Sequence, residues 1–208
     1  MFPLGVLRKR KTSQPIMDIR FDDTNGIYDT TGRHTFTKNY ANSNPIISNQ
    51  IANFVGDNNY QVDSNMSDFT FGLSDFEIVF EIRLNGNAAE YYTIFDIYRD
   101  GYPYNDSQRI GMYLEQGTRT VSAYGFGGVG LLTSTASISV TEFTKVTLKR
   151  VGGTLSLWFD DVLDSSIASN VDMSSLFDVV VGGSPSTLVA PENAKLVGEL
   201  RRFAVRKF

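Results

Sequence analysis

The stretch KVTLKRVGGTLSLWFD, residues 145–160, holds two runs of alternating apolar and polar residues separated by Gly152-Gly153. Alternation with period two marks strands that turn one face to a core, and two glycines between such runs mark a tight hairpin. With Gly152-Gly153 as the turn, Arg150 lies opposite Leu155, Leu148 opposite Leu157 and Val146 opposite Phe159. These positions make one largely apolar face. Thr147, Lys149, Ser156 and Trp158 make the other, so the chain's one tryptophan points away from the residues that read most clearly as core.

The same pattern extends outward from this hairpin. In DFEIVFEIRL (75–84), Phe76, Ile78, Phe80, Ile82 and Leu84 share a face, and Asn85-Gly86 follows as a turn. Further strands are predicted at 16–22, 52–56, 60–63, 91–99, 109–115, 120–126, 145–151, 154–160, 179–183 and 196–207. No helix of ordinary length is predicted; TSTAS and DMSSLF each suit a single turn. Fifteen Phe and ten Tyr favour strands, and the absence of cysteine excludes disulfides and thiolate metal sites. Many short strands at about ten-residue spacing predict an all-β, two-sheet antiparallel jelly-roll sandwich. It occupies 16–208 as one domain behind a short N-terminal arm, 1–15.

Taken in order, MDIRFDDTNGIYDTTG, ANFVGDNNYQV, LSDFEIVFEIRL, the 145–160 hairpin, VVVGGSP and LVGELRRFAV resemble the laminin-G-like group of concanavalin A-like jelly rolls. Leu155, Leu157, Trp158, Phe159, Asp160 and Asp161 stand where that group places Leu, Leu, Tyr, Val, Asp and Gly. Val181-Gly182-Gly183 matches its Ile-Gly-Gly turn, and Gly198, Leu200, Phe203 and Val205 match its last strand. Asp161 in place of glycine is the departure. The MFPLGVL opening directly before such a domain is similar to small bacteriophage-encoded virion proteins. The resemblance implies a non-enzymatic virion accessory protein, on a tail or as capsid decoration, with a lectin-like jelly roll for host glycan or protein binding. Alternatives are a purely structural virion protein, a cellular carbohydrate-binding module and a degenerate glycosidase.

The arm places Phe2, Leu4, Val6 and Leu7 before the cations Arg8, Lys9 and Arg10, the reverse of a secretory signal and too short to span a bilayer. It reads as a solvated tail or as a segment docking onto other virion proteins in a symmetric assembly. A net charge of −4 argues against nucleic acid as a partner.

Trp158 is the leading ligand-binding candidate, through stacking on a sugar; the competing reading is cover by a loop or the arm. Tyr98, Tyr102 and Tyr104, around RDGYPYNDS, form a second candidate because tyrosine with Asn, Asp and Arg on a loop suits recognition. Adjacent strand residues diverge, so Asp160 and Asp161 read first as turn residues. No cofactor is required, but the resemblance implies a structural calcium, with Asp22, Asp57 and Asp160 as candidate ligands. Glu77 and Glu81 resemble a glucanase Glu-x-Asp-x-Glu strand without its central acid. The lone His34, in TGRHTF, is expected to be exposed.

Overall fold

The computed structural model describes residues 14–37, 45–56, 59–98, 109–125, 132–174, 178–183 and 196–208. Among these, sixteen strands build two antiparallel sheets. The larger sheet runs in the order β14 (Val162–Ala168), β13 (Thr154–Phe159), β12 (Thr144–Val151), β7 (Phe76–Leu84), β16 (Val197–Lys207), β1 (Met17–Asp22) and β2 (Gly26–Asp29). The short β4 (Ile46–Ser48) and β5 (Ile51–Val55) join it through β16. The second sheet runs β11 (Leu132–Thr133), β10 (Val121–Gly125), β9 (Arg109–Leu114), β8 (Tyr92–Tyr98), β15 (Asp178–Val181), β6 (Tyr60–Val62) and β3 (Phe36–Thr37).

The hairpin has the predicted register: Val146 pairs with Phe159, Thr147 with Trp158, Leu148 with Leu157 and Arg150 with Leu155. Between the sheets lies one core to which both contribute. Phe95 of the second sheet packs edge-on against Phe80 and Phe203 of the first, at 5.9 and 5.4 Å between ring centres. Every inward position of β7 from Phe76 to Leu84 is buried, as its alternation requires.

Alternation fails in β16, where both Leu200 and Phe203 are buried although three positions apart. A bulge accounts for this. Leu200 pairs with Ile82 and Arg202 with Glu81, leaving Arg201 as the extra residue and turning two consecutive arginines outward. At the Gly-Gly turn after β15, Gly182 has φ 82°, and a Cβ there would sit 2.0 Å from the Phe54 ring. Glycine is required twice over, by backbone conformation and by the ring packed on it.

The expected single turns at TSTAS and at the described part of DMSSLF are not helical; Met173 instead bridges to Gly72. A short 3-10 turn lies at Met66–Phe69. His34 overturns its expected exposure. Its side chain is fully buried, with Nδ1 2.8 Å from Asp29 Oδ2, Nε2 3.3 Å from Asp68 Oδ2, and the ring against Phe69. Asp29 supplies the hydrogen-bond partner of Nδ1 that makes burying an imidazole tolerable, while Nε2 faces Asp68 Oδ2 without a hydrogen bond among the described residues.

Candidate functional site

Outward positions of the larger sheet line up across its strands. Trp158 (β13) pairs with Thr147 (β12), which pairs with Val79 (β7), which pairs with Ala204 (β16), which pairs with Asp18 (β1). Thr147, Val79 and Ala204 are short and buried, so this row is a low floor. The rows to either side carry long charged side chains. One has Lys149, Glu77 and Arg206 in register, the other Lys145, Glu81 and Arg202. A low row between two tall ones is a trough, about 260 Å³, with Trp158 at one end.

The walls are held by ion pairs. Arg206 Nη1 donates to Glu77 Oε1 at 2.6 Å, and Lys149 Nζ lies 3.8 Å from Glu77 Oε2. Arg202 donates to both oxygens of Asp18, at 3.0 and 3.1 Å. The bulge sends Arg201 the other way, to Glu81 and over the Phe143 ring, which Arg83 also covers. That second depression, about 510 Å³, is lined by Tyr28, Asn49, Gln50, Phe143, Glu81 and Arg201 among others. The Glu81–Arg201–Arg202 cluster separates it from the trough.

Trp158 is only partly buried, and its ring is fixed in place. Nε1 donates to Ser156 Oγ at 2.9 Å, and Ser156 Oγ in turn donates to Lys149 O at 3.2 Å. Residues two apart on a strand share a face, which makes this bond available. A ring held before a ligand arrives loses little freedom on binding.

The acidic run after Trp158 splits into three separate duties. Asp160 and Asp161 have φ 48° and 67°, the two left-handed positions of a type I′ turn. Asp160 Oδ1 accepts the Lys145 N–H at 2.9 Å, while Asp161 points to the trough rim and meets Lys145 Nζ at 2.6 Å. Asp164 sits at a bulge and accepts from Thr135 and Ala136 of the neighbouring loop. Burial pushes the Asp164 carboxyl up, but these donors outweigh it and hold the pKa below the ordinary carboxylate value.

Asp22 and Asp160, two of the candidate calcium ligands, are not brought together. Asp22 ends β1 and Asp160 follows β13, four strands apart in one sheet and so separated by roughly 19 Å. Asp22 also serves its own turn, accepting from the Asn25 and Thr24 N–H groups, which lowers its pKa. A single ion held by both carboxylates is thus ruled out by sheet geometry; Asp57 lies outside the described residues. Among the described residues, no cluster of three or more His, Asp or Glu side chains is suited to a metal ion.

Nor do Trp158 and Tyr98 share a site. Tyr98 ends β8 in the second sheet, whereas Trp158 lies on the outer face of the first. Tyr102, Tyr104 and the arm residues Phe2, Leu4, Val6, Leu7, Arg8, Lys9 and Arg10 lie outside the described residues. On the second sheet, ring contacts instead join Tyr91 to Tyr113 and Tyr113 to Tyr124. Tyr124 lies across Gly111, where a Cβ would be 2.2 Å from its ring, and beside the Asp96–Arg109 pair. Burial, and then the Asp96 charge, push its phenol well above the ordinary value. Sequence reading missed this ladder because its members come from β9, β10 and the residue before β8, which only the sheet brings together.

Glu77 and Glu81 flank Val79 on β7, each held by an arginine. Their backbone positions are roughly 13 Å apart. Among the described residues, no helix is long and apolar enough to cross a membrane.

No family model matches the sequence, and no curated protein matches it. Solved structures do match in fold. The receptor-binding domain of botulinum neurotoxin mosaic serotype C/D superposes with a TM-score of 0.64 at 15% identity, covering 92% of this chain and 46% of that one. The binding domain of botulinum neurotoxin DC gives a TM-score of 0.64 in its complex with rat synaptotagmin II, at 13% identity and 92% and 47% coverage. The same domain in complex with SialylT gives 0.64, at 14% identity with 92% and 47% coverage. This chain therefore spans about half the length of the solved chains it matches, and at these identities the likeness shows a shared all-β, two-sheet fold.

Proposed function

We propose that this domain is a non-enzymatic binding module whose Trp158 trough takes a glycan. The carrying observation is the fixed indole standing at the end of a low floor of Thr147 and Val79, with Ala204 next in the same row. An aromatic ring presents a flat apolar face to the C–H face of a sugar, and polar walls supply hydrogen bonds to its hydroxyls. At about 260 Å³ the trough is smaller than the ~300–1,000 Å³ of sites that enclose a small molecule. It suits one or two units of a longer chain lying across the sheet.

The solved neighbours support a binding role: they are receptor-binding domains, one in complex with rat synaptotagmin II and one with SialylT. They are twice as long as this chain, so the glycan reading rests on the trough and not on their ligands. The ion-paired Glu77 and Glu81, and the absence of an acid at Val79, argue against glycosidase chemistry.

We infer a virion as the setting, a phage tail or capsid surface, with 1–15 docking the domain to other virion proteins. The support is the order of the sequence, an apolar-then-basic arm directly before a sandwich. Deletion of 1–14 should leave a folded domain that no longer joins the particle, and normal incorporation of the truncated protein would sink this docking role. For the site, a glycan array read with wild type and Trp158→Ala is decisive. Reproducible binding that the substitution abolishes is expected. Absence of any glycan signal would favour a purely structural role.

A further inference from the structure

Charge on the trough lining is unbalanced. The lining carries four cations, Lys145, Lys149, Arg202 and Arg206, and two carboxylates, Glu77 and Asp161. Arg202 is neutralised from outside the lining by Asp18, which leaves Lys145, Lys149 and Arg206 against Glu77 and Asp161. The chain as a whole carries −4, so the trough opposes the overall sign of the protein. Glu77 is shared by two of the cations. Asp161, the partner of Lys145, has a side chain 77% exposed, so water screens that pair.

Arg206 is the clearest sign of unused capacity. A guanidinium carries five N–H donors, and among the described residues only Nη1 is spent, on Glu77. Its Nε is enclosed and has no acceptor among the described residues, a costly arrangement for a buried donor. The Lys149–Glu77–Arg206 row is therefore short of negative charge where it borders the floor that leads from Trp158.

We infer that the ligand of this trough is an anionic glycan, with a sugar ring on Trp158 and a carboxylate or sulfate one or two units along, against Lys149 and Arg206. This rests on the trough being a glycan site, as proposed above. Both acidic groups offer the same chemistry, planar or tetrahedral oxygens that accept several charge-assisted hydrogen bonds. The indole and the uncharged floor favour a sugar over an acidic peptide.

The test is calorimetric titration of the full chain with four probes of similar length: an oligogalacturonate, a chondroitin sulfate oligomer, a neutral cello-oligosaccharide and an oligo-glutamate peptide. One of the two acidic sugars is expected to bind at least roughly tenfold more tightly than the neutral one. That affinity should fall several-fold between about 0.05 and 0.5 M NaCl as the site is screened. Arg206→Gln and Lys149→Gln should each weaken it, whereas Arg83→Gln, outside the trough, should not. Binding of the oligogalacturonate identifies a carboxylate, and binding of the chondroitin sulfate that is lost when the oligomer is desulfated identifies a sulfate. Equal, salt-insensitive affinity for the neutral oligomer would overturn the anionic class while leaving the Trp158 site standing. Binding of the peptide alone, or of no sugar at all, would overturn both readings.

Discussion

The Trp158 indole N–H is bonded to Ser156 Oγ, two residues back on the same face of β13, at 2.9 Å. This bond sets where the ring lies without holding the fold together, because Ser156 is a partly exposed strand position. Ser156→Ala should therefore leave stability within about 0.5 kcal/mol. It should weaken glycan binding by a few-fold, since the ring must then be ordered by the ligand. Trp158→Ala should remove binding altogether. Chemical denaturation alongside array binding separates the two effects, and equal losses from both substitutions would contradict a purely orienting role for Ser156.

Asp160 and Asp161 occupy equivalent left-handed backbone positions but are not equivalent in use. Glycine is free of strain at both. Asp161 gives up only an exposed ion pair with Lys145, whereas Asp160 gives up a bond to the Lys145 N–H. Asp161→Gly should raise stability by about 0.5 kcal/mol, seen as a rise of about 1–2 °C in Tm. Asp160→Gly should be neutral or destabilising. Thermal unfolding of the pair checks the ranking.

The hairpin around Gly152-Gly153 was legible because strict alternation and a two-glycine turn leave a single register. The face on which Trp158 stands follows from parity alone. Strand order across the sheet does not, so the charged rows of the trough were hidden. Lys149, Glu77 and Arg206 come from three strands spread over 130 residues of sequence, and only the sheet puts them side by side. The bulge at Arg201 defeats parity in β16, and another at Asp164 breaks the alternation of β14, a largely exposed edge strand left out of the prediction. The burial of His34 is not legible because it lies in the loop after β2, which has no alternation to read, and is closed over by Asp68 and Phe69 of a 3-10 turn more than thirty residues on.

That histidine clip gives stability a pH signature through Asp29. Burial pushes the Asp29 carboxyl up, but the Asp18 N–H, the Thr31 hydroxyl and the His34 ring outweigh it, and the pKa is held below the ordinary value. A carboxylate with a depressed native pKa contributes stability that is full above its unfolded value, about 3.9, and is lost as pH falls through the native one. Asp29→Asn should cost about 1–3 kcal/mol at pH 7. The gap from wild type should hold down to about pH 4 and narrow below it. Urea denaturation across pH 2.5–7 measures this, and a gap independent of pH would refute it.

Arg150 offers the sharpest test of how the sandwich is closed at one end. Alternation places it on the inner face of β12, and there it is 2% exposed. Its guanidinium donates to Gly72 O and Val171 O at 2.7 Å and to Ser74 O through Nε at 3.1 Å, with the Phe76 ring 5.1 Å from its centre. Burial lowers its pKa, with Asp75 and Asp172 opposing the shift. The side chain stands where two loops would otherwise leave the Ser74 and Val171 carbonyls without donors among the described residues, whereas Gly72 O also accepts from the Met173 N–H. Arg150→Met keeps much of the volume and removes every donor, so it should cost about 2–5 kcal/mol, at about 1–3 kcal/mol for each carbonyl left unsatisfied. Arg150→Lys should recover only part of this, because an ammonium on a flexible stem does not reproduce the planar fork that reaches three carbonyls at once. Denaturation midpoints of the two variants give the comparison. A loss below about 1 kcal/mol for Arg150→Met would mean that water, and not Arg150, satisfies those carbonyls.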